Sequence, residues 1–169
     1  GSILLRNTTL AQAEAALRLV PASPTNPTFW GTSGGERIDG SSGGDHLVGL
    51  GGRDILRGGG GGDILEGGDG SDILDAGPGM DDISGGAGAD VFVYRPGDGQ
   101  DLIRDFKPSE GDILLLDNLS GYNIQQVGSN VLVFVTGGST IFLLNTTVSA
   151  VQGATITLPW VLPTVVFAT

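Results

Sequence analysis

The sequence predicts an all-β fold: a right-handed parallel β-roll, or β-solenoid, of nine-residue repeats, with a short N-terminal helical extension and a C-terminal antiparallel β cap. Three observations carry that expectation. One nine-residue phrase recurs seven times without a gap over residues 31–93: GTSGGERID, GSSGGDHLV, GLGGRDILR, GGGGGDILE, GGDGSDILD, AGPGMDDIS and GGAGADVFV. Position six is acidic in every line, as Glu36, Asp45, Asp54, Asp63, Asp72, Asp81 and Asp90. Position eight is large and apolar throughout, as Ile38, Leu47, Leu56, Leu65, Leu74, Ile83 and Phe92, while position four is always glycine.

Within a line, the glycines allow positive φ and close backbone approach, so the first half reads as a turn. The second half, such as Asp54-Ile55-Leu56, carries β-branched and apolar residues and reads as a very short strand. Strand alternation sends position eight to one face and position seven to the other. Two lines then make one eighteen-residue coil. Two parallel sheets face each other across stacked position-eight side chains, and lines separated by one become neighbours.

This geometry stacks Glu36, Asp54, Asp72 and Asp90 along one edge, and Asp45, Asp63 and Asp81 along the other. Rungs sit about one strand spacing (~4.8 Å) apart. Like charges at that distance cost about 1 kcal/mol per pair even in a water-like medium. A hard divalent cation between successive carboxylates reverses the sign. Calcium accepts six to eight oxygens at flexible geometry, and glycine-rich turns expose carbonyls to supply the remainder, so calcium is the expected ion.

GGDGSDILD and its neighbours resemble the GGxGxDxUx repeat of the RTX (repeats-in-toxin) proteins, a calcium-binding β-roll found in secreted hemolysins, serralysin-type metallopeptidases, lipases and alginate epimerases. The resemblance covers about residues 31–117. It implies calcium between turns two lines apart, held by position-six carboxylates and by carbonyls near positions two and four. Carried onto this chain, the implied carboxylate pairs are Asp54/Asp72, Asp72/Asp90, Asp45/Asp63 and Asp63/Asp81. The implied carbonyl donors are Gly43, Gly52, Gly61, Gly70, Gly79 and Gly88 at position four, with Leu50, Gly59, Gly68 and Gly77 at position two. Glu36, longer and preceded by Thr32-Ser33, departs from the pattern. About four well-formed sites are expected, with two more near the ends, so roughly four to six ions.

Composition narrows the function classes. Eight Lys and Arg against 19 Asp and Glu give a net charge of −11 and a pI near 4.1, which suits a cation binder and argues against a nucleic-acid partner. No cysteine means no disulfide scaffold, and no run of eighteen apolar residues reads as a membrane span. A flexible glycine-rich linker is the bland alternative, but linkers do not keep an apolar residue at every ninth place. A metal-free solenoid would leave the acidic columns unneutralised. No His-Glu-x-x-His, Gly-x-Ser-x-Gly or cysteine nucleophile is present, so no catalysis is expected of this chain itself.

Residues 1–30 read as an N-terminal helix, Pro-rich linker and cap. Gly1-Ser2 is taken as a tag remnant, and no basic region precedes an apolar one as in a Sec signal peptide. Ile3-Leu4-Leu5 suits a short strand. Thr9 caps an alanine-rich helix expected from about Leu10 to Leu19, which Pro21, Pro24 and Pro27 end. Trp30 is expected to cover the open end of the roll.

Residues 31–117 hold the roll with its closing segment. After Val93 the phrase returns two residues late, so Asp101 is expected to face Asp81 as a further turn. The segment 104–117 resembles the one that closes the roll in serralysin-like C-terminal domains, making Asp101, Asp105 and Asp112 further ligand candidates, with turn capping as the ordinary alternative.

Residues 118–169 contain no charged residue. Val131–Val135 and Thr140–Leu144 around Gly137-Gly138 read as a hairpin, with a third strand near Ala154–Leu158. The apolar end, Leu162–Thr169, resembles the uncleaved type I secretion signal of RTX proteins. His46 is expected to be an outward surface residue. Ile55 and Ile73 are expected to form an exposed stripe that docks another domain or a second copy. The overall expectation is a secreted or cell-surface calcium module. It would be unfolded at cytoplasmic calcium and folded outside, and would serve an upstream domain and the type I secretion machinery. A calcium-dependent adhesin, surface-layer or substrate-binding module is the alternative.

Overall fold

A computed structural model describes residues 27–117, 121–135 and 137–158. Ten short strands wind as a coil of about five turns: β1 (Thr28–Trp30), β2 (Arg37–Asp39), β3 (His46–Gly52), β4 (Ile55–Arg57), β5 (Ile64–Gly70), β6 (Ile73–Asp75), β7 (Asp82–Ala87), β8 (Val91–Tyr94), β9 (Gln100–Ile103) and β10 (Ile113–Asp117). Odd-numbered strands stack in parallel as one sheet and even-numbered strands as the other. His46 pairs with Ile64 and Ile55 with Ile73, an eighteen-residue register. The register then widens, with Asp82 beside Leu102 (102 − 82 = 20) and Val91 beside Ile113 (113 − 91 = 22).

Position eight fills the space between the sheets, as alternation requires. Leu47, Leu56, Leu65, Leu74, Ile83 and Phe92 are buried, and Phe92 meets Phe106 edge-to-face at 5.8 Å. Phe29, nine residues before Ile38, packs against the same core. By the nine-residue count it stands at position eight of a line before the first. Trp30, the next residue, is 65% exposed with its ring 6.4 Å from that of His46. The expectation for Trp30 is therefore corrected by one residue: Phe29 lies over the first coil and Trp30 points away from it.

The C-terminal part continues both sheets. Strands β11 (Tyr122–Val127), β12 (Asn130–Val135) and β13 (Thr140–Leu143) form an antiparallel meander, and β13 joins β9 in parallel. A short helix α1 (Val148–Gly153) follows, capped by the Thr147 hydroxyl accepting the Ala150 N–H, and seats Val151 in the core. Strand β14 (Thr155–Leu158) then adds in parallel to β10. The expected hairpin and third strand are present. The cap's own strands β11 to β13 are antiparallel, as expected, while β13 and β14 join the roll in parallel. Strand β11 and α1 were not anticipated.

Ile55 and Ile73 pair on the outer face of the second sheet, Ile73 being 39% exposed and Ile55 half-buried. Val91 and Ile113 extend that stripe. The expected helix over Leu10–Leu19, the strand at Ile3–Leu5 and the apolar tail Leu162–Thr169 lie outside the described residues. Among the described residues no helix is long and apolar enough to cross a membrane.

Candidate metal centre

Positions six and eight share strand parity, so the acidic side chain of each line points the same way as its core residue. The aspartates accordingly line the inner rim of the roll rather than an open edge. Asp45, Asp54, Asp63, Asp72, Asp81 and Asp90 are each at most 1% exposed.

Each rung is tied to the next by its own backbone. The Asp54 N–H donates to Asp72 Oδ1 at 2.8 Å, Asp72 N–H to Asp90 Oδ1 at 2.9 Å, Asp45 N–H to Asp63 Oδ1 at 2.7 Å, and Asp63 N–H to Asp81 Oδ1 at 2.8 Å. The four implied pairs are thus brought together. Asp81 N–H donates to Asp101 Oδ1 at 2.9 Å, placing Asp101 in the turn expected of it. One oxygen of each rung is left over. Asp45 Oδ1 and the Oδ2 atoms of Asp54, Asp63, Asp72, Asp81 and Asp90 are buried without a hydrogen-bond partner. An orphaned buried carboxylate oxygen is expensive unless a cation meets it.

The space beside these oxygens is a cradle of backbone carbonyls. A methyl group placed on Gly67 would come within 2.5 Å of both Asp72 Oδ2 and Gly85 O. One on Gly49 would lie 2.5 Å from Asp54 Oδ2 and overlap Gly67 O, and one on Gly58 would lie 2.6 Å from Ala76 O and overlap Asp63 Oδ2. Among the described residues no three carboxylate, imidazole or thiol groups converge on one point. An ion between rungs must therefore draw its remaining oxygens from the main chain, as calcium does readily. The residues present fit a hard divalent cation.

Position one of each line supplies carbonyls to this cradle, a contribution that sequence reasoning missed. The signal was available, since that position is Gly31, Gly40, Gly49, Gly58, Gly67, Ala76 or Gly85 in the seven lines. The expected carbonyl positions two and four stack closely as well. A Cβ on Gly68 would overlap Leu50 O, on Gly77 Gly59 O, on Gly70 Gly52 O, on Gly79 Gly61 O and on Gly88 Gly70 O; one on Gly61 would come 2.6 Å from the carbonyl carbon of Gly43.

The ends of the columns are closed by other groups. Glu36 folds back on its own turn, where Oε2 accepts the Thr32 N–H at 3.1 Å and Oε1 the Thr32 hydroxyl. Asp45 Oδ2 accepts the Ser41 hydroxyl at 2.8 Å. At the other end Asp112 accepts Asp90 N–H at 3.0 Å and Lys107 N–H at 2.7 Å, using both oxygens. Asp105 is no rung: it caps the turn at Gly85 N–H and Gly86 N–H, each at 2.9 Å, and takes the Ser84 hydroxyl at 2.6 Å. Asp98 accepts the Arg95 N–H at 2.5 Å. His46 faces outward as expected, with Nε2 3.0 Å from Glu66 Oε1.

Burial, and then neighbouring carboxylates, push these acids up. Desolvation raises Asp63 and Asp90 to about 6 and Asp81 to about 7, and it raises Asp72 above its usual range. Desolvation, with the charges of Asp81 and Asp98 beside it, raises Asp101 to about 9. Without a metal, the columns favour protons.

Residues 30–65, 57–92 and 66–103 match the RTX calcium-binding nonapeptide repeat, a family description of four copies. Among solved structures, the AlgE6R3 subunit from the Azotobacter vinelandii mannuronan C5-epimerase is 22% identical, over 80% of this chain and 81% of that one, with a TM-score of 0.43. The extracellular lipase LipA from Serratia marcescens is 15% identical, over 79% of this chain and 40% of that one, with a TM-score of 0.35. No curated protein matches the chain.

Proposed function

We infer a calcium-driven folding module, on the premise that residues 30–103 match the RTX calcium-binding nonapeptide repeat. The observation that carries this reading is the set of six buried carboxylate oxygens without partners. In the proposed arrangement, calcium sits between Asp54/Asp72, Asp72/Asp90, Asp45/Asp63 and Asp63/Asp81, with Asp81/Asp101 as the next pair on the second edge. Carbonyls of the turns complete each site. The bound ion supplies charge neutralisation; the chain supplies spacing, burial and a nearly dry rim.

Folding follows from linkage. At submicromolar calcium and neutral pH the carboxylates of the unfolded chain are ionised, burying them in columns is costly, and the chain remains unfolded. At millimolar calcium and extracellular-module affinities of about 10⁻⁴ M, each site adds roughly 1.4 kcal/mol. Several coupled sites make the transition steep. Repeats of this type are typical of extracellular proteins. The module is proposed to cross a type I secretion channel unfolded and to fold on arrival, stabilising an upstream passenger without chemistry of its own. An adhesin or surface-layer module that binds neighbours is a second reading, favoured by the exposed Ile73 stripe.

Circular dichroism during a calcium titration, repeated with magnesium, tests the proposal. A cooperative gain of β signal with calcium alone is expected. A chain already folded in chelator at pH 7.5, or one equally responsive to magnesium, would overturn it.

A further inference from the structure

Among the described residues the two sheets end in four edge strands, β1 and β11 in one, β2 and β14 in the other. Exposed edges invite another strand, and most are blunted by shortness, charge or proline. Strand β1 has three residues and follows Pro27; β2 has three and carries Arg37 and Asp39; β14 has four and is followed in sequence by Pro159. Strand β11, Tyr-Asn-Ile-Gln-Gln-Val, has six residues, no charge and no proline.

We propose that β11 is a self-association edge, pairing antiparallel with β11 of a second copy so that two eight-stranded sheets run on into one. Two features select a second copy over an unrelated strand. All the chain's charge lies before residue 118, so a two-fold contact here brings no like charges together, whereas one on the acidic roll does. The strand is also self-complementary. A two-fold axis at Ile124 sets Ile124 against its own copy and Asn123 against Gln125 of the second copy. Asn123 and Gln125 are exposed, and an amide both donates and accepts, so each finds a partner whichever way it faces. Gln126, on the other face, donates to Thr146 O at 3.1 Å and accepts the Val148 N–H at 3.0 Å, so its amide is engaged within the chain.

The test is sedimentation velocity of the full chain in millimolar calcium over a wide concentration range. The wild type is expected to form a dimer. Asn123→Lys with Gln125→Lys should be monomeric, with the calcium-induced circular dichroism unchanged. Asn123→Asp with Gln125→Asp should be monomeric as well, and mixing the two variants should restore the dimer. A wild type that stays monomeric overturns the proposal. So does a dimer that survives the lysine variant, or one abolished by Ile55→Lys with Ile73→Lys while the lysine variant at β11 retains it.

Discussion

At the scale of single residues, the aspartate at position six does two jobs with two oxygens. Oδ1 of Asp72 accepts the buried Asp54 N–H, and Oδ2 faces the cradle between coils. Asp72→Ala therefore removes a proposed ligand and orphans an amide, the latter alone costing about 1–3 kcal/mol. Asp98 holds only the Arg95 turn. Calorimetric calcium titration should show a clearly weakened midpoint and fewer ions bound for Asp72→Ala, and little change in either for Asp98→Ala. The stacking of these acids in two columns was readable from their period. Their burial was also implicit, because positions six and eight share parity, although stacking along an open edge was expected. The back-folding of Glu36 onto Thr32 could be suspected from its longer arm, whereas the full satisfaction of Asp105 and Asp112 depends on loop backbone that no spacing encodes.

At the scale of the element, the expected division of each line into turn and strand holds only in part, because β3 runs on through Gly49–Gly52 and β5 through Gly67–Gly70. Gly70 sits at φ 147° with its Cα against Gly52 O, where any Cβ would collide with backbone. Gly60 has only Pro78 O at 3.8 Å. Gly70→Ala should lower stability in calcium by at least about 2 kcal/mol, and Gly60→Ala should stay within about 0.5 kcal/mol, as thermal melts will show. Leu50 is the exception that marks the rule, a non-glycine at φ 73° where Gly59 and Gly68 occupy the same place. The repeat made the seven strands β2 to β8 predictable in order and register, and its late return made β9 so. Strand β11 escaped notice because Asn123, Gln125 and Gln126 interrupt its apolar pattern and only Ile124 packs against the core. Phe29 escaped because its line has lost the glycine and the acid, leaving position eight alone.

At the scale of the whole molecule, the proposed calcium sites would set protons and calcium in competition for one set of oxygens. Asp63 and Asp90 titrate near 6 and Asp81 near 7 in the folded chain, above the ordinary unfolded value near 4. Folded states with raised carboxyl pKa values bind more protons than unfolded ones between those limits. Their contribution is complete below pH about 4 and is lost as pH rises through 6 to 7. In chelator, the roll should therefore gain structure on acidification from pH 8 toward 5. Calcium affinity should fall over the same interval, and far-ultraviolet circular dichroism with and without calcium reads both. The architecture as a whole was foreseeable because one rule repeats. The mixed C-terminal part was less so, since uncharged strands announce burial without announcing direction, and β14 turns out parallel to β10.

The alternation of sheets has a consequence for how such a chain can grow or shrink. A block of eighteen residues, for instance 49–66, begins and finishes at equivalent points, so its loss or duplication leaves every surviving interface with a neighbour of the same kind. A block of nine does not. It would hand the first coil to the opposite sheet and set Phe29 beneath the wrong wall. Length in this architecture is quantised in whole windings, and its ancestry should have advanced by the same step.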